Sequence, residues 1–311
     1  MRTFALDEIQ RGIALPMVID AMSRALIAQS RGECDTPMPM HLAIAAGPAE
    51  VHIKSSYRRG GAYFALKAAG SFPARAARHG SSNSGMMLLC SAATGDPVAF
   101  FLDDGWLTDV RTAAVAAMAA RELRRTDAVL GILGTGVQAQ LQARLHAEVL
   151  PLERVIVWGR SAAGVEAFRR ELAAWLPAVE VTGAATPAEV AQRARLIVTA
   201  TPARAPLLST GDIRPGTMLS AVGSDTPGKQ ELDPEILRAA SPLLVDSLAQ
   251  CARLGELQHA PLEQGRAVEL GAFCADPRPI APSSVVVCDF TGLGVEDLAI
   301  AELAYARLAG A

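Results

Sequence analysis

One short stretch constrains this chain more than any other. Ala128-Val129-Leu130-Gly131-Ile132-Leu133 is an apolar run of strand length, and it leads directly into Gly134-Thr135-Gly136-Val137-Gln138-Ala139. Glycines in the pattern G-x-G-x-x-A let the chain turn tightly at Gly134 and let a pyrophosphate approach the backbone at Gly136. Ala139 keeps the following helix close to the strand. Thr135, Val137 and Gln138 then sit at a helix N-terminus, where unsatisfied N–H groups favour an anion. A motif this short also occurs in ordinary turns, so its surroundings decide its meaning. Apolar runs at Val155–Trp158, Val179–Val181, Leu196–Ala200, Met218–Val222 and Leu243–Val245 alternate with helical patterns at Ala162–Leu176 and Thr186–Arg193. That alternation predicts a parallel, doubly wound sheet, the Rossmann type of dinucleotide-binding domain.

The second of those strands ends in Trp158-Gly159-Arg160-Ser161. A carboxylate at this point accepts hydrogen bonds from ribose hydroxyls and repels a 2′-phosphate. Arg160 with Ser161 is suited to holding that phosphate, so the pattern favours NADPH, with NADH as the alternative.

The flanking sequence has another character. Pro16 followed by Met17, Val18, Met22, Ala25 and Leu26 predicts a helix with proline in its first turn. Across residues 37–103, apolar runs at Ala65–Ala68, Met86–Leu89 and Pro97–Leu102 are separated by turn clusters at Arg58–Gly61, His79–Gly85 and Thr94–Pro97, which predicts an antiparallel sheet. Thr108 can cap a helix over Asp109–Leu123, and Val285–Cys288 followed by Val295–Leu308 reads as a strand and a closing helix. The predicted fold is α/β, with a Rossmann domain over 120–285 and a discontinuous α+β domain made of 1–119 and 286–311.

Composition narrows the partners. The formal net charge is −3 and a fifth of the 311 residues are charged, with no basic stripe, which argues against nucleic acid and anionic membrane. No apolar run reaches bilayer length, and Asp7 and Glu8 sit where a leader peptide would be apolar or basic. Five scattered cysteines without a CxxC pair read as reduced thiols in a cytoplasmic protein. The five histidines form no HExxH pattern, so no metal is expected.

Three places could carry chemistry. Arg111, in Thr108-Asp109-Val110-Arg111, falls in the first turn of the predicted helix, where it either helps to form an anion pocket or pairs with Asp109 or Asp104. Lys67 lies inside the apolar run Ala65–Ala68 and either points to solvent or is buried with a partner. Lys54 has a similar alternating context. Asp225 follows the strand Met218–Val222, at the end of a parallel strand where ligands bind, and either acts on a substrate or closes an Asx turn beside Pro227 and Gly228.

Together these stretches resemble the ornithine cyclodeaminase/mu-crystallin family. The matching segments include His52-Ile53-Lys54, Leu66-Lys67, Leu107-Thr108-Asp109-Val110-Arg111-Thr112-Ala113-Ala114, the glycine turn, Thr199-Ala200-Thr201-Pro202, Gly223-Ser224-Asp225, Gly228-Lys229-Gln230-Glu231-Leu232 and the run Asp289–Asp297. The resemblance implies a homodimer whose discontinuous domain binds substrate and forms the subunit contact. It implies that Lys67 and Arg111 bind a substrate carboxylate, that Asp225 lies beside the reacting nitrogen, and that Thr201 belongs to the cofactor site. Cyclodeaminases of the family carry a glutamate in the strand before the lysine; here that strand reads His52-Ile53-Lys54-Ser55-Ser56. With Lys54 there and Arg160 in place of an acid, the chain is similar to the ketimine reductases, which reduce Δ1-pyrroline-2-carboxylate or Δ1-piperideine-2-carboxylate to L-proline or L-pipecolate. Cyclodeamination of ornithine, an alanine or opine-type dehydrogenase, and a non-catalytic NADPH-binding protein stand as alternatives.

Overall fold

The computed structural model describes residues 1–44, 49–72, 74–75 and 82–310, and divides into two compact units: Met1–Ala114 with Leu293–Ala311, and Val115–Gly292. The boundaries fall at 114 and 292 rather than at 119 and 285. The first difference arises inside one helix, Trp106–Glu122, which is continuous across the division. The second arises because Val286–Asp289 pairs with strands of the second unit on both sides, so it is an interior strand of that sheet.

The first unit is built on a seven-stranded sheet. Its strands are β1 (Arg2–Ala5), β2 (Cys34–Asp35), β3 (Met40–Ile44), β4 (Ala49–Arg58), β5 (Tyr63–Ser71), β6 (Asn83–Ser91) and β7 (Pro97–Leu102), in the order β1-β7-β6-β5-β4-β2 with β3 also on β4. The β4–β7 ladder is antiparallel, as the spacing of turns predicts, and β1 adds a parallel edge strand too short to stand out in the sequence. Of the turn cluster expected at His79–Gly85, residues 79–81 lie outside the described residues, and Asn83–Gly85 belong to β6.

Directly opposed residues share a face. Lys54, Lys67, Met87, Phe101 and Phe4 therefore form one row across five strands, and all five are buried. That face is covered by the long helices α1 (Leu15–Ser30) and α2 (Gly294–Ala309). The opposite face carries Met40, Leu42, Ile44, Leu66, Met86 and Leu102, each more than a third exposed.

Trp106–Glu122 starts three residues before the predicted Asp109. The Asp103 carboxylate closes its first turn by accepting from Leu107 N at 2.7 Å, so Thr108 is an interior residue and not the cap. Arg111 is consequently in the second turn, past the free N–H groups with which it was expected to form an anion pocket.

The second unit holds an eight-stranded, all-parallel sheet. Its strands are β8 (Val129–Leu133), β9 (Arg154–Trp158), β10 (Glu180–Gly183), β11 (Leu196–Thr199), β13 (Met218–Ala221), β15 (Leu243–Val245), β16 (Ala267–Glu269) and β17 (Val286–Asp289), in the order β10-β9-β8-β11-β13-β17-β15-β16. This is the doubly wound Rossmann arrangement, and the order reverses between β8 and β11. A separate parallel pair, β12 (Arg204–Leu208) with β14 (Gln230–Leu232), escapes the sequence pattern because Pro206 interrupts the first.

The start of α2 approaches β4 so closely that a methyl group on Gly294 would lie 2.3 Å from the Ser55 carbonyl oxygen. Helix propensity alone favours alanine there by about 1 kcal/mol. We expect Gly294→Ala to lower the thermal unfolding midpoint all the same, with a loss of about 1–3 kcal/mol from overpacking; an unchanged or raised midpoint would show that the contact yields.

Candidate active site

The glycine turn lines a cavity of about 350 Å³ in the second unit, together with Gly159 and Arg160 after β9 and Thr201 after β11. It lies at the point where the strand order reverses, which is where ligands bind in this fold. Gly134 has φ +128°, and a Cβ there would sit 2.5 Å from the Ala200 carbonyl oxygen, so the turn itself requires glycine. Gly136 is different: its φ is ordinary at −85°, and a Cβ would meet nothing within 4 Å. It is also the N-cap of the helix Val137–Ala147, with no side chain closing that end. An open position beside uncapped N–H groups fits a pyrophosphate. Thr135 lines the cavity, whereas Val137 and Gln138 are the first two residues of the helix that follows and do not line it. Arg160 is exposed at the cavity wall. Ser161 caps the next helix, its Oγ accepting from Gly164 N at 3.1 Å, and does not line the cavity.

Thr201 is held by a residue that the motif reading passed over. The buried Glu231 carboxylate accepts from Thr199 Oγ1, Thr201 N and Thr201 Oγ1 at 2.7 Å each, and from Gly223 N at 2.8 Å. Burial raises this carboxyl while those hydrogen bonds work to lower it. One side chain thus ties the loop after β11 to the loop after β13, which carries Asp225. Asp225 is 43% exposed and paired with Lys229 Nζ at 2.6 Å. The two lie four residues apart across the Pro227-Gly228 turn.

In the first unit, Lys67 of the buried row and Arg111 of the helix Trp106–Glu122 come together at Asp297 of α2. Lys67 Nζ forms an ion pair with Asp297 Oδ2 at 3.2 Å. Arg111 Nε donates to Asp297 Oδ1 at 3.0 Å and its Nη1 to Glu296 Oε2 at 2.9 Å. Lys54 stands opposite Lys67 across β4 and β5 and is 8% exposed. Asp109 accepts from Asn83 Nδ2, and Asp104 pairs with Arg75 at 2.8 Å.

Charge follows from this burial. Loss of water drives the Lys67 ammonium down to about 7; Asp297 pulls it up, and Arg111 and Lys54 push it down further. Burial works to raise the Asp297 carboxyl, but Lys67, Arg111 and Lys54 together outweigh it and hold it below its ordinary value. Glu296 and Asp297 occupy the first turn of α2, where the helix dipole favours negative charge. Lys54, Lys67 and Arg111 thus lie around the Asp297 carboxylate, with Glu296 on the far side of the guanidinium.

Residues 4–311 match the ornithine cyclodeaminase/mu-crystallin family. The chain belongs to it. A putative dehydrogenase of Rhizobium meliloti is 38% identical over 279 residues, covering 87% of this chain and 84% of that protein. The structure of Thermococcus litoralis Δ1-pyrroline-2-carboxylate reductase in complex with NADH and L-proline is 25% identical, with a TM-score of 0.91, over 100% of this chain and 98% of the other. An archaeal alanine dehydrogenase dimer with bound NAD is also 25% identical, with a TM-score of 0.89, over 100% and 96%. This member of the ornithine cyclodeaminase/mu-crystallin family is an enzyme, an oxidoreductase, and not merely a binding protein.

Glu231, Glu296 and Asp297 were not singled out by the sequence reading. Two acids opening an apolar helix look like ordinary first-turn residues, and only the tertiary pairing, 185 and 186 residues from Arg111, gives them their part.

The two glycines separate fold from ligand binding. Gly136→Ala should fold with an unchanged melting temperature and bind NADPH and NADH at least about tenfold more weakly, because its methyl fills only the open position. Gly134→Ala should lose stability. Cofactor fluorescence titration with thermal melts checks both; equal cofactor affinity in Gly136→Ala and the parent would contradict the assignment of the cavity.

Proposed function

We propose that this enzyme reduces the C=N bond of a small imine carrying a carboxylate, with a cyclic ketimine carboxylate (Δ1-pyrroline-2-carboxylate or Δ1-piperideine-2-carboxylate) as its substrate and NADPH as its reductant. The observation that supports it is the buried group of Lys54, Lys67 and Arg111 against Glu296 and Asp297. A carboxylate entering that group is met by basic side chains already fixed in place and favours the charged form of Lys67.

In this mechanism Lys67 and Arg111 hold the substrate carboxylate, and Lys54 adds positive charge from the neighbouring strand. Glu296 and Asp297 keep the Arg111 guanidinium in one orientation. Asp225 offsets the charge of the protonated imine or passes it a proton. A bound reduced nicotinamide would supply the hydride for the imine carbon, the nitrogen keeping one proton to give a cyclic secondary amine. Arg160 at the cavity wall supports NADPH over NADH. Lys54, a cation in the strand where an ornithine-binding site needs an acid, argues against a diamino acid.

A second copy of the chain is the partner we propose. The sheet face bearing Met40, Leu42, Ile44, Met86 and Leu102 is a broad apolar surface of the kind that closes a homodimer. Among the described residues no single helix is long and apolar enough to cross a membrane, and the five cysteines are unpaired, which supports a cytoplasmic setting.

The test is a panel of substrates. Purified enzyme should oxidise NADPH with either cyclic imine, faster than with NADH, and should show little turnover of ornithine or alanine with NAD. Lys67→Met should cut kcat/KM on the imine by about a hundredfold or more, roughly 3 kcal/mol of lost charge-assisted binding, while Asp225→Asn should lower kcat. Full efficiency in Lys67→Met would remove the carboxylate clamp; faster turnover of ornithine would replace the reductase reading by cyclodeamination.

A further inference from the structure

The row of the β3–β4–β5 surface next to Lys54 and Lys67 holds a second cluster that the reductase mechanism does not use. His41 on β3 stands opposite His52 on β4, with ring centroids 5.0 Å apart. Glu50, two residues before His52 and therefore on the same face, reaches both rings: its Oε2 lies 3.2 Å from His41 Nε2, and its Oε1 lies 3.8 Å from His52 Nε2. The three ligand atoms are all within 4.8 Å of one another. Two imidazole nitrogens and a carboxylate oxygen are the donor set of three-ligand zinc sites, in which bonds of about 2.0–2.2 Å place donor atoms roughly 3.3–3.5 Å apart.

We propose that His41, Glu50 and His52 bind one divalent transition-metal ion of the zinc class. The antiparallel register builds the site: it sets one histidine on each strand at opposed positions, and the two-residue strand repeat brings the acid to the same side. A contraction of about an ångström among side-chain ends would complete the coordination, with no change of backbone pairing. His52 and Glu50 are only 16% and 29% exposed, so the carboxylate is partly removed from water and its two imidazole neighbours are the groups placed to satisfy it. With three protein ligands the ion keeps at least one position for water or an external anion. The ion would also cross-link β3 to β4, the strand that carries Lys54 one repeat further on. The sequence spacing hid this site because its histidines lie eleven residues apart on different strands and form no helical zinc motif.

Equilibrium dialysis of the EDTA-treated, full-length protein against Zn²⁺, followed by metal analysis, is the direct test. One equivalent should be retained, and Co²⁺ in its place should develop visible absorption bands of a four- or five-coordinate ion. Glu50→Gln and His52→Gln should each weaken Zn²⁺ binding by about tenfold or more and abolish the Co²⁺ spectrum, with the thermal melt of each metal-free variant matching the parent as the folding control. No stoichiometric Zn²⁺ in the parent, or retention and spectra unaltered in both variants, would overturn the proposal and leave Glu50 as a counter-ion for the two imidazoles. Because the readout is metal binding, it stands or falls independently of imine reduction.

Discussion

The first unit is organised around a buried charge group. Asp297 touches both Lys67 and Arg111, and Glu296 holds the other side of the guanidinium. These contacts join the C-terminal helix to a central strand of the sheet and to the helix Trp106–Glu122, three pieces of chain that are distant in sequence. Removing a single member of such a group leaves an opposite charge buried without its partner, at a cost of about 3–5 kcal/mol. A group of this kind is retained for more than stability, since apolar side chains of the same size would pack there as well. Under the proposed function the reason is substrate binding: Lys67 takes up a proton as the substrate carboxylate settles beside it.

The second unit applies the same principle in reverse. Its glycine turn presents backbone N–H groups rather than side chains, and a single buried acid, Glu231, fixes the loops at the ends of two adjacent strands. Glu231 is itself anchored, since its N–H donates to Glu256 at 2.7 Å, and Glu256 N in turn donates to Asp289 at 3.0 Å. Burial pushes the Glu256 carboxyl up to about 8 and that of Asp289 up to about 7. Each is satisfied by backbone donors, which is what permits carboxylates so deep in an apolar domain.

Much of this was legible in the residues. The strand, the glycine spacing and the alternation that follows locate the Rossmann sheet, because backbone requirements at Gly134 and Gly136 are local and leave a mark in the sequence. The antiparallel sheet was readable from turn spacing. What the sequence concealed is tertiary. Val286–Asp289 looks like part of the closing segment, yet hydrogen bonding on both edges puts it inside the second sheet. Arg111 has acids nearby in sequence, yet its partners come from the far end of the chain. Helix Trp106–Glu122 begins early because Asp103, an unremarkable loop residue in the sequence, folds back to close its first turn.

The central claim is that Lys67, lowered to about 7 in the free enzyme, takes up a proton to receive a carboxylate. Above pH 7 the free enzyme holds Lys67 largely neutral, and the bound anion favours its charged form, so binding must be coupled to proton uptake and weaken as pH rises. Calorimetric titration with pyrrole-2-carboxylate, a planar analogue of the imine, in buffers of different ionisation enthalpy at pH 8 measures that coupling, with oxidised cofactor present. The account predicts uptake of close to one proton in the parent enzyme and none in Lys67→Met. Binding without proton uptake, at an affinity indifferent to pH between 7 and 9, would contradict it.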